Sequence, residues 1–171
     1  MAASPDSAAL RDATTIAQRI AGDERAADAA REAYRREGLP VLQADGDLST
    51  ILEPGELVHA IHPMALLERG SSGTPDEPLR GGTLVVTSRR LVHNGTLVLA
   101  WLLSSVAEMN VALERLLMLR LADGTDLAVE VAAPRLLRVQ LAAAKAALRD
   151  DARTAAVPVE PQPSLPDAPA R

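Results

Sequence analysis

The sequence contains no cysteine, no phenylalanine and only two aromatic residues, Tyr34 and Trp101. Without cysteine there are no disulfides, no thiolate metal sites and no thiol nucleophile. Without aromatic bulk the core must be assembled from leucine and valine, each worth roughly 1.5–3 kcal/mol when fully buried. Long apolar runs are missing as well. The longest, LVLAWLL over 97–103, is far short of the ~20 residues needed to span a bilayer. The opening MAASPDSAALRDATTIAQ has no basic segment followed by an apolar one, so no secretory signal is expected. These absences together lead to the expectation of a soluble cytoplasmic protein.

The net charge is −5, unevenly spread: residues 41–133 hold six arginines against twelve acids, whereas 134–153 hold five bases against two acids. An acidic central region repels phosphate polymers at long range, which argues against nucleic acid as a partner.

At 171 residues the chain has room for one domain with extensions. Asp6 or Ser7 can cap a first helix running to about Ala21, with Leu10, Ala13, Ile16, Ala17 and Ile20 on one face. Gly22-Asp23 reads as a break and a new cap. A second helix would then end at Gly38, with Pro40 just beyond. This gives an N-terminal helical hairpin over 1–38. Its inward face (Ala26, Ala27, Ala30, Ala33, Tyr34) is small and would gain from docking on something larger. Residues 39–49 read as a linker, and Pro54-Gly55 as a turn leading into a β-like run.

From there the period becomes that of strands. ELVHAIHPMALLE gives a first strand that stops or breaks near Pro63. A Gly/Ser/Pro loop follows over 69–82. TLVVTS, RLVHN, TLVLAWLL and VAEMNVA continue, with Asn94-Gly95 read as a two-residue hairpin turn. In ERLLMLRLADGTDLAVEV (114–131) a two-residue Asp123-Gly124 turn would set Leu119 opposite Ala128. A three-residue loop ending at a left-handed Gly124 sets Leu117 opposite Val129 and Leu119 opposite Leu127 instead. Register follows the apolar face, which favours the three-residue loop. Pro134 suits the first position of a closing helix, with Leu137, Leu141, Ala144 and Leu148 facing inward. The five prolines of the tail make 151–171 read as disordered, and its PxxP spacings (Pro158–Pro161, Pro163–Pro166, Pro166–Pro169) read as linker.

Two short motifs carry a resemblance. Leu52, Pro54, Gly55 and Glu56 form an L-x-P-G-E pattern on the first strand. Leu84, Thr87, Arg90 and Leu91 form an L-x-x-T-x-x-R-L pattern across the next strand turn. Residues 50–150 resemble the bacterial pleckstrin-homology-like (PH-like) domains, near their GRAM-like members. The resemblance implies an α+β fold: a seven-stranded barrel or sandwich closed by a C-terminal helix. It also implies a non-enzymatic binding or scaffold module that recognises a protein or self-associates, the alternative being peripheral association with an anionic membrane.

The basic residues of phosphoinositide-binding relatives point to Arg69, Arg80, Arg89 and Arg90 as the candidate ligand contacts. Arginine suits phosphate through its planar fork, but Glu68, Asp76 and Glu77 beside the loop argue for a structural or solvated role. Arg90 is expected to pack its stem and pair with a carboxylate. A basic stripe on the closing helix supplies Arg135, Arg138, Lys145 and Arg149 as candidate partner or lipid contacts, or as counter-charge to the acidic sheet.

His59 and His62 stand three apart, which on a strand sends them to opposite faces, so no metal site is expected there. Asp45-Gly46-Asp47 lacks the remaining ligands of a calcium loop. Asn94-Gly95-Thr96 matches a glycosylation sequon by letter and reads as a turn. The GSSG and GG stretches lack the Lys-Ser/Thr of a phosphate loop. No cofactor and no catalytic motif is expected.

Overall fold

One strand organises the architecture. In the computed structural model, which describes residues 5–71, 74–75 and 77–155, strand β1 runs from Val58 to Ser71. Its first half pairs with β4 (Thr83–Thr87) and its second half with β9 (Asp126–Val131), both antiparallel. The register shifts between Met64 and Leu66 on the β9 side. The expected interruption at Pro63 is therefore a handover: proline lacks an N–H, and the ladder changes partner there rather than ending.

Around β1 the seven main strands follow the order β6-β5-β4-β1-β9-β8-β7. The remaining main strands are β5 (Arg90–Asn94), β6 (Leu99–Leu102), β7 (Val106–Ala112) and β8 (Leu116–Leu121). Two short segments, β2 (Thr74–Pro75) and β3 (Leu79–Arg80), pair back onto β1. A one-turn 3₁₀ segment, Leu103–Ser105, turns the chain from β6 into β7. Helix α3 (Pro134–Ala155) covers one end of the sandwich. The seven-stranded, helix-closed α+β fold is thus present, and the register of β8 on β9 is Leu117 opposite Val129 and Leu119 opposite Leu127. Gly124 takes φ +86, as the three-residue loop requires.

The interior is aliphatic. Leu84, Leu91, Leu117, Leu119, Leu127, Leu137 and Leu141 are fully buried together, with Trp101 packed at the margin. A second, smaller cluster lies on the opposite face of the β4–β5 pair, where Val58, Val85 and Val92 meet Leu48.

Leu48 belongs to helix α2 (Gly46–Ile51), capped by Asp45, whose carboxylate accepts from the Leu48 amide at 2.9 Å. The stretch expected as a linker over 39–49 is therefore packed structure, fixed also by a bridge between Leu42 and Val58. The signal was an Asp cap followed three residues later by a leucine.

The N-terminal hairpin is corrected as well. Residues Pro5–Glu37 form one continuous helix, α1, that passes straight through Gly22. It ends where expected, with Gly38 at φ +77 and its amide bonded to the Tyr34 carbonyl. Asp23 caps a different helix: its carboxylate accepts from the backbone amides of Arg135 and Leu136, each at 2.9 Å. These are orphan donors of the first turn of α3. The alanine face of α1 docks on α3, with Ala27 buried. Helix α3 extends through Ala155, so 151–155 are helical, and the disorder expected for the rest of the tail, with its PxxP spacings, lies outside the described residues.

Asn94-Gly95 does not form the two-residue turn, because β6 starts only at Leu99. Beside this longer loop His93 is buried at 1% exposure. A Cβ on Gly82 would lie 2.6 Å from the Asn94 carbonyl oxygen and 2.9 Å from His93 Nε2, and one on Gly95 would lie 2.8 Å from His93 Cε1. Both glycines make room for the imidazole, whose Nε2–H donates to the Gly81 carbonyl at 3.2 Å.

Asp23→Ala is expected to lower unfolding stability by about 1–2 kcal/mol, the usual range for a lost cap, with Asp23→Asn milder; urea denaturation measures both. Gly82→Ala, at φ +91 and without space for a methyl group, is expected to cost about 1–3 kcal/mol in the same assay.

Candidate functional site

The four sheet arginines do not form one site. Arg89 and Arg90 stand at the β4–β5 turn, whereas Arg80 precedes β4 and Arg69 lies on β1 opposite Leu127. Strand β4 separates the two pairs.

Arg90 is a residue of the fold. Its Nε donates to Glu56 Oε1 at 3.0 Å and its Nη2 to Glu56 Oε2 at 2.5 Å. Nη2 also reaches the Ile51 carbonyl, the last residue of α2, at 3.1 Å. The two sequence motifs are thus halves of one clasp. Glu53-Pro54-Gly55-Glu56 forms a turn with Gly55 at φ +75 and a Glu56 amide to Glu53 carbonyl bond of 3.0 Å, the geometry that proline followed by glycine favours. That turn sends the Glu56 side chain inward, where it is 0% exposed. The Glu53 amide and the Thr87 hydroxyl complete its partners, at 2.9 and 2.5 Å. Thr87 Oγ1 in turn accepts from the amides of Arg89 and Arg90, which fixes the strand turn.

Burial on its own would raise the Glu56 carboxyl. Hydrogen bonds from Arg90, Thr87 and the Glu53 amide outweigh it and hold the group at about 2. Arg89, by contrast, is half exposed and stands 3.6 Å from Glu53.

Arg69 and Arg80 line a cleft of about 790 Å³ at the mouth of the sandwich, with Leu67, Leu79, Glu77 and Leu97. It is a mixed surface, two guanidiniums and a carboxylate over leucine.

On α3 the basic stripe is divided among different tasks. Arg135 is occupied: it pairs with Glu114 at 2.5 Å and lies 3.6 Å from Glu24 and 3.9 Å from Asp23. Lys145 donates to the Val106 carbonyl and is pushed below its ordinary value by desolvation first and by Arg149 second. Arg149 is exposed. Arg138 is half-buried and has no ion-pair or hydrogen-bond partner among the described residues.

Arg138 opens into a groove that the sequence did not reveal. Helices α1 and α3 run side by side in the same direction, from the Asp23 cap toward Tyr34 and Ala146. Between them lies a space of about 720 Å³, floored by Ala142, Ala143, Ala146 and Ala147 and rimmed by Arg31 and Arg35 as well as Arg138. The small-residue stretch KAAL and its neighbours were the available signal. The pairing of α1 with α3 links residues more than a hundred positions apart, which periodicity does not report.

The histidines serve local contacts. His59 Nδ1–H donates to the Pro40 carbonyl at 2.8 Å and His62 Nε2–H to Gln140 Oε1 at 2.5 Å. Among the described residues no group of three or more His, Cys, Asp or Glu has metal-binding geometry, and no helix is long and apolar enough to cross a membrane.

Because Glu56 sits at about 2 in the fold against an ordinary 4.5, its stabilising contribution is complete above about 4.5 and is lost as pH falls through about 2. The shift corresponds to on the order of 3 kcal/mol. Urea midpoints measured across that window are expected to fall for the wild type. Glu56→Gln is expected to start lower at neutral pH, with the gap between the two closing as the medium becomes acid; a gap that stays constant would show that charge on Glu56 is not what the clasp uses.

No protein-family profile matches the chain, and no curated protein matches it. Among solved structures the chain is similar to the Vps36 N-terminal PH domain, at 17% identity and a TM-score of 0.44, over 60% of this chain and 86% of that one. It is also similar to the C-terminal domain of an unknown protein from Leishmania infantum, at 11% identity and a TM-score of 0.41, over 54% of this chain and 87% of that one. The seven-stranded, helix-closed α+β sandwich rests on the chain's own strand order, register and closing helix.

Proposed function

We propose that the chain is a non-enzymatic binding module that recognises a protein partner through the groove between α1 and α3. The observation that carries this reading is the groove's construction. Four alanines on α3 give a floor shallow enough for another backbone to approach closely, and an arginine rim surrounds it. Arg31 and Arg35 are tied to Asp28 and Glu32 on their own helix, so Arg138 is the rim guanidinium without a carboxylate partner among the described residues. The matching partner is an amphipathic segment with small apolar residues on one face and a carboxylate at its edge, the helix-in-groove mode of recognition.

A second reading, peripheral association with an anionic membrane, draws on the mouth cleft, where Arg69 and Arg80 stand beside the exposed Leu97. Glu77 in the same lining works against it.

The test is co-purification of partners with the full chain, comparing wild type with Ala143→Trp and Arg138→Glu, both checked for an unchanged melting curve. Partners held by the wild type and weakened at least tenfold by both substitutions are the expected result. Partners retained by both variants would overturn the groove reading. Sedimentation with phosphatidylserine vesicles that is abolished by high salt and by Arg80→Glu would put the membrane reading in its place.

A further inference from the structure

The sheet path ends in two strands with different edges. At one end β7 carries exposed Glu108 and Asn110, and a register shift between Val106 and Glu108, which blunts it against further pairing. At the other end β6 has no such guard. Residues 95–107 contain no charged side chain and no proline, and Leu97, Val98 and Leu102 are each more than half exposed. Among the described residues β5 is the only strand paired with β6. An uncharged apolar edge of this kind is one that soluble proteins otherwise avoid.

The ladder shows which backbone groups face outward. The Leu103 amide donates to the Arg89 carbonyl at 2.8 Å. Opposite residues alternate between bonded and non-bonded pairs, so Trp101 and Leu99 direct their amides to Leu91 and His93. Ala100 and Leu102 therefore point their amides off the sheet. The Leu102 carbonyl accepts from Ser105 Oγ at 2.7 Å and keeps a second lone pair.

We propose that this edge pairs with β6 of a second copy of the chain, antiparallel about a two-fold axis through Ala100. Ala100 then meets Ala100 of the partner subunit, and Val98 meets Leu102 of the partner subunit in both directions. The row Val98-Ala100-Leu102 suits itself: the smallest side chain lies on the axis, where each residue must face its own copy. The edge is also neutral, so two chains that each carry −5 do not oppose one another at the contact. A partner of opposite charge would find nothing on this edge to select it. A strand pair this short buries less than the ~1,600 Å² of a standard interface, so the dimer forms in a concentration-dependent manner. The proposal rests on the binding-module reading and names a second copy as partner, but it shares no residue with the α1–α3 groove, so either can fail alone.

Light scattering and sedimentation of the full chain, over a wide concentration range, test it. The wild type is expected to move from 18.0 kDa toward twice that mass as concentration rises. Ala100→Lys places like charges on the axis, and Ala100→Pro removes an outward amide without touching the β5 ladder. Both are expected to weaken association at least tenfold while leaving the melting curve of the dilute protein unchanged, with Val98→Lys substituting where either fails to fold. In the wild type, exchange of the Ala100 and Leu102 amides is expected to slow with concentration. A wild type that stays at monomer mass throughout overturns the proposal, whether or not the groove binds a partner, and so does a dimer that the variants retain.

Discussion

The Glu56–Arg90 pair is the interaction on which the first half of the sandwich depends. A carboxylate with no exposed surface is tolerated only if every lone pair is met, and here four donors from three segments meet it: the Glu53 amide, the Thr87 hydroxyl and two guanidinium nitrogens. The same guanidinium holds the end of α2 through Ile51. Helix α2 in turn covers Val58, Val85 and Val92, which would otherwise be an exposed apolar patch on the sheet. One ion pair therefore sets a turn, a strand connection and the seat of a helix. Removing either member would leave a buried charge unmatched, a larger penalty than the net worth of the pair.

Elements set by local chemistry were legible in the sequence. The Pro54-Gly55 turn, the left-handed Gly124, the Pro134 helix start and the Gly38 helix stop each need only a few neighbouring residues. The β8–β9 register was legible because a one-residue slip would have turned Leu117, Leu119 and Leu121 out of the core. Arg90 was legible as a residue that pairs with a carboxylate, though not which one. The failures have different causes. Gly22-Asp23 has the letters of a helix break, yet Asp23 is used 112 positions away, at Arg135. Docking on α3 holds Gly22 within a helix at a propensity cost of about 1 kcal/mol. Asn94-Gly95 has the letters of a tight turn, yet a buried imidazole occupies the space beside both Gly82 and Gly95. In the first case a distant partner overrode a correct local preference; in the second the departure accompanies a neighbouring imidazole held against Gly81 and Gly82.

The candidate contacts followed the same division. Arg69, Arg80, Arg89 and Arg90 are near neighbours in sequence terms, and the strand between them puts them at opposite ends. Arg135 and Lys145 share a helical stripe with Arg138 and Arg149, but the first is committed to Glu114 and the second to the Val106 carbonyl. Only a three-dimensional account separates a basic residue that completes the fold from one that still has donors to offer.

The handover along β1 has a consequence for synthesis on the ribosome. The first half of the strand finds β4 within about two dozen residues, so that hairpin can close early. The second half meets β3 along one edge within about a dozen residues, but its other edge, at Leu66 and Leu67, must wait for β9, some sixty residues later in the chain. Until then a newly made chain carries one open edge on this apolar strand end, and Glu68 and Arg69 are the charged residues that stand next to it. The β9-facing edge of β1 beyond Pro63 is thus the segment whose protection depends on the elongation rate, and slow translation between residues 80 and 126 would lengthen its exposure more than slow translation anywhere earlier.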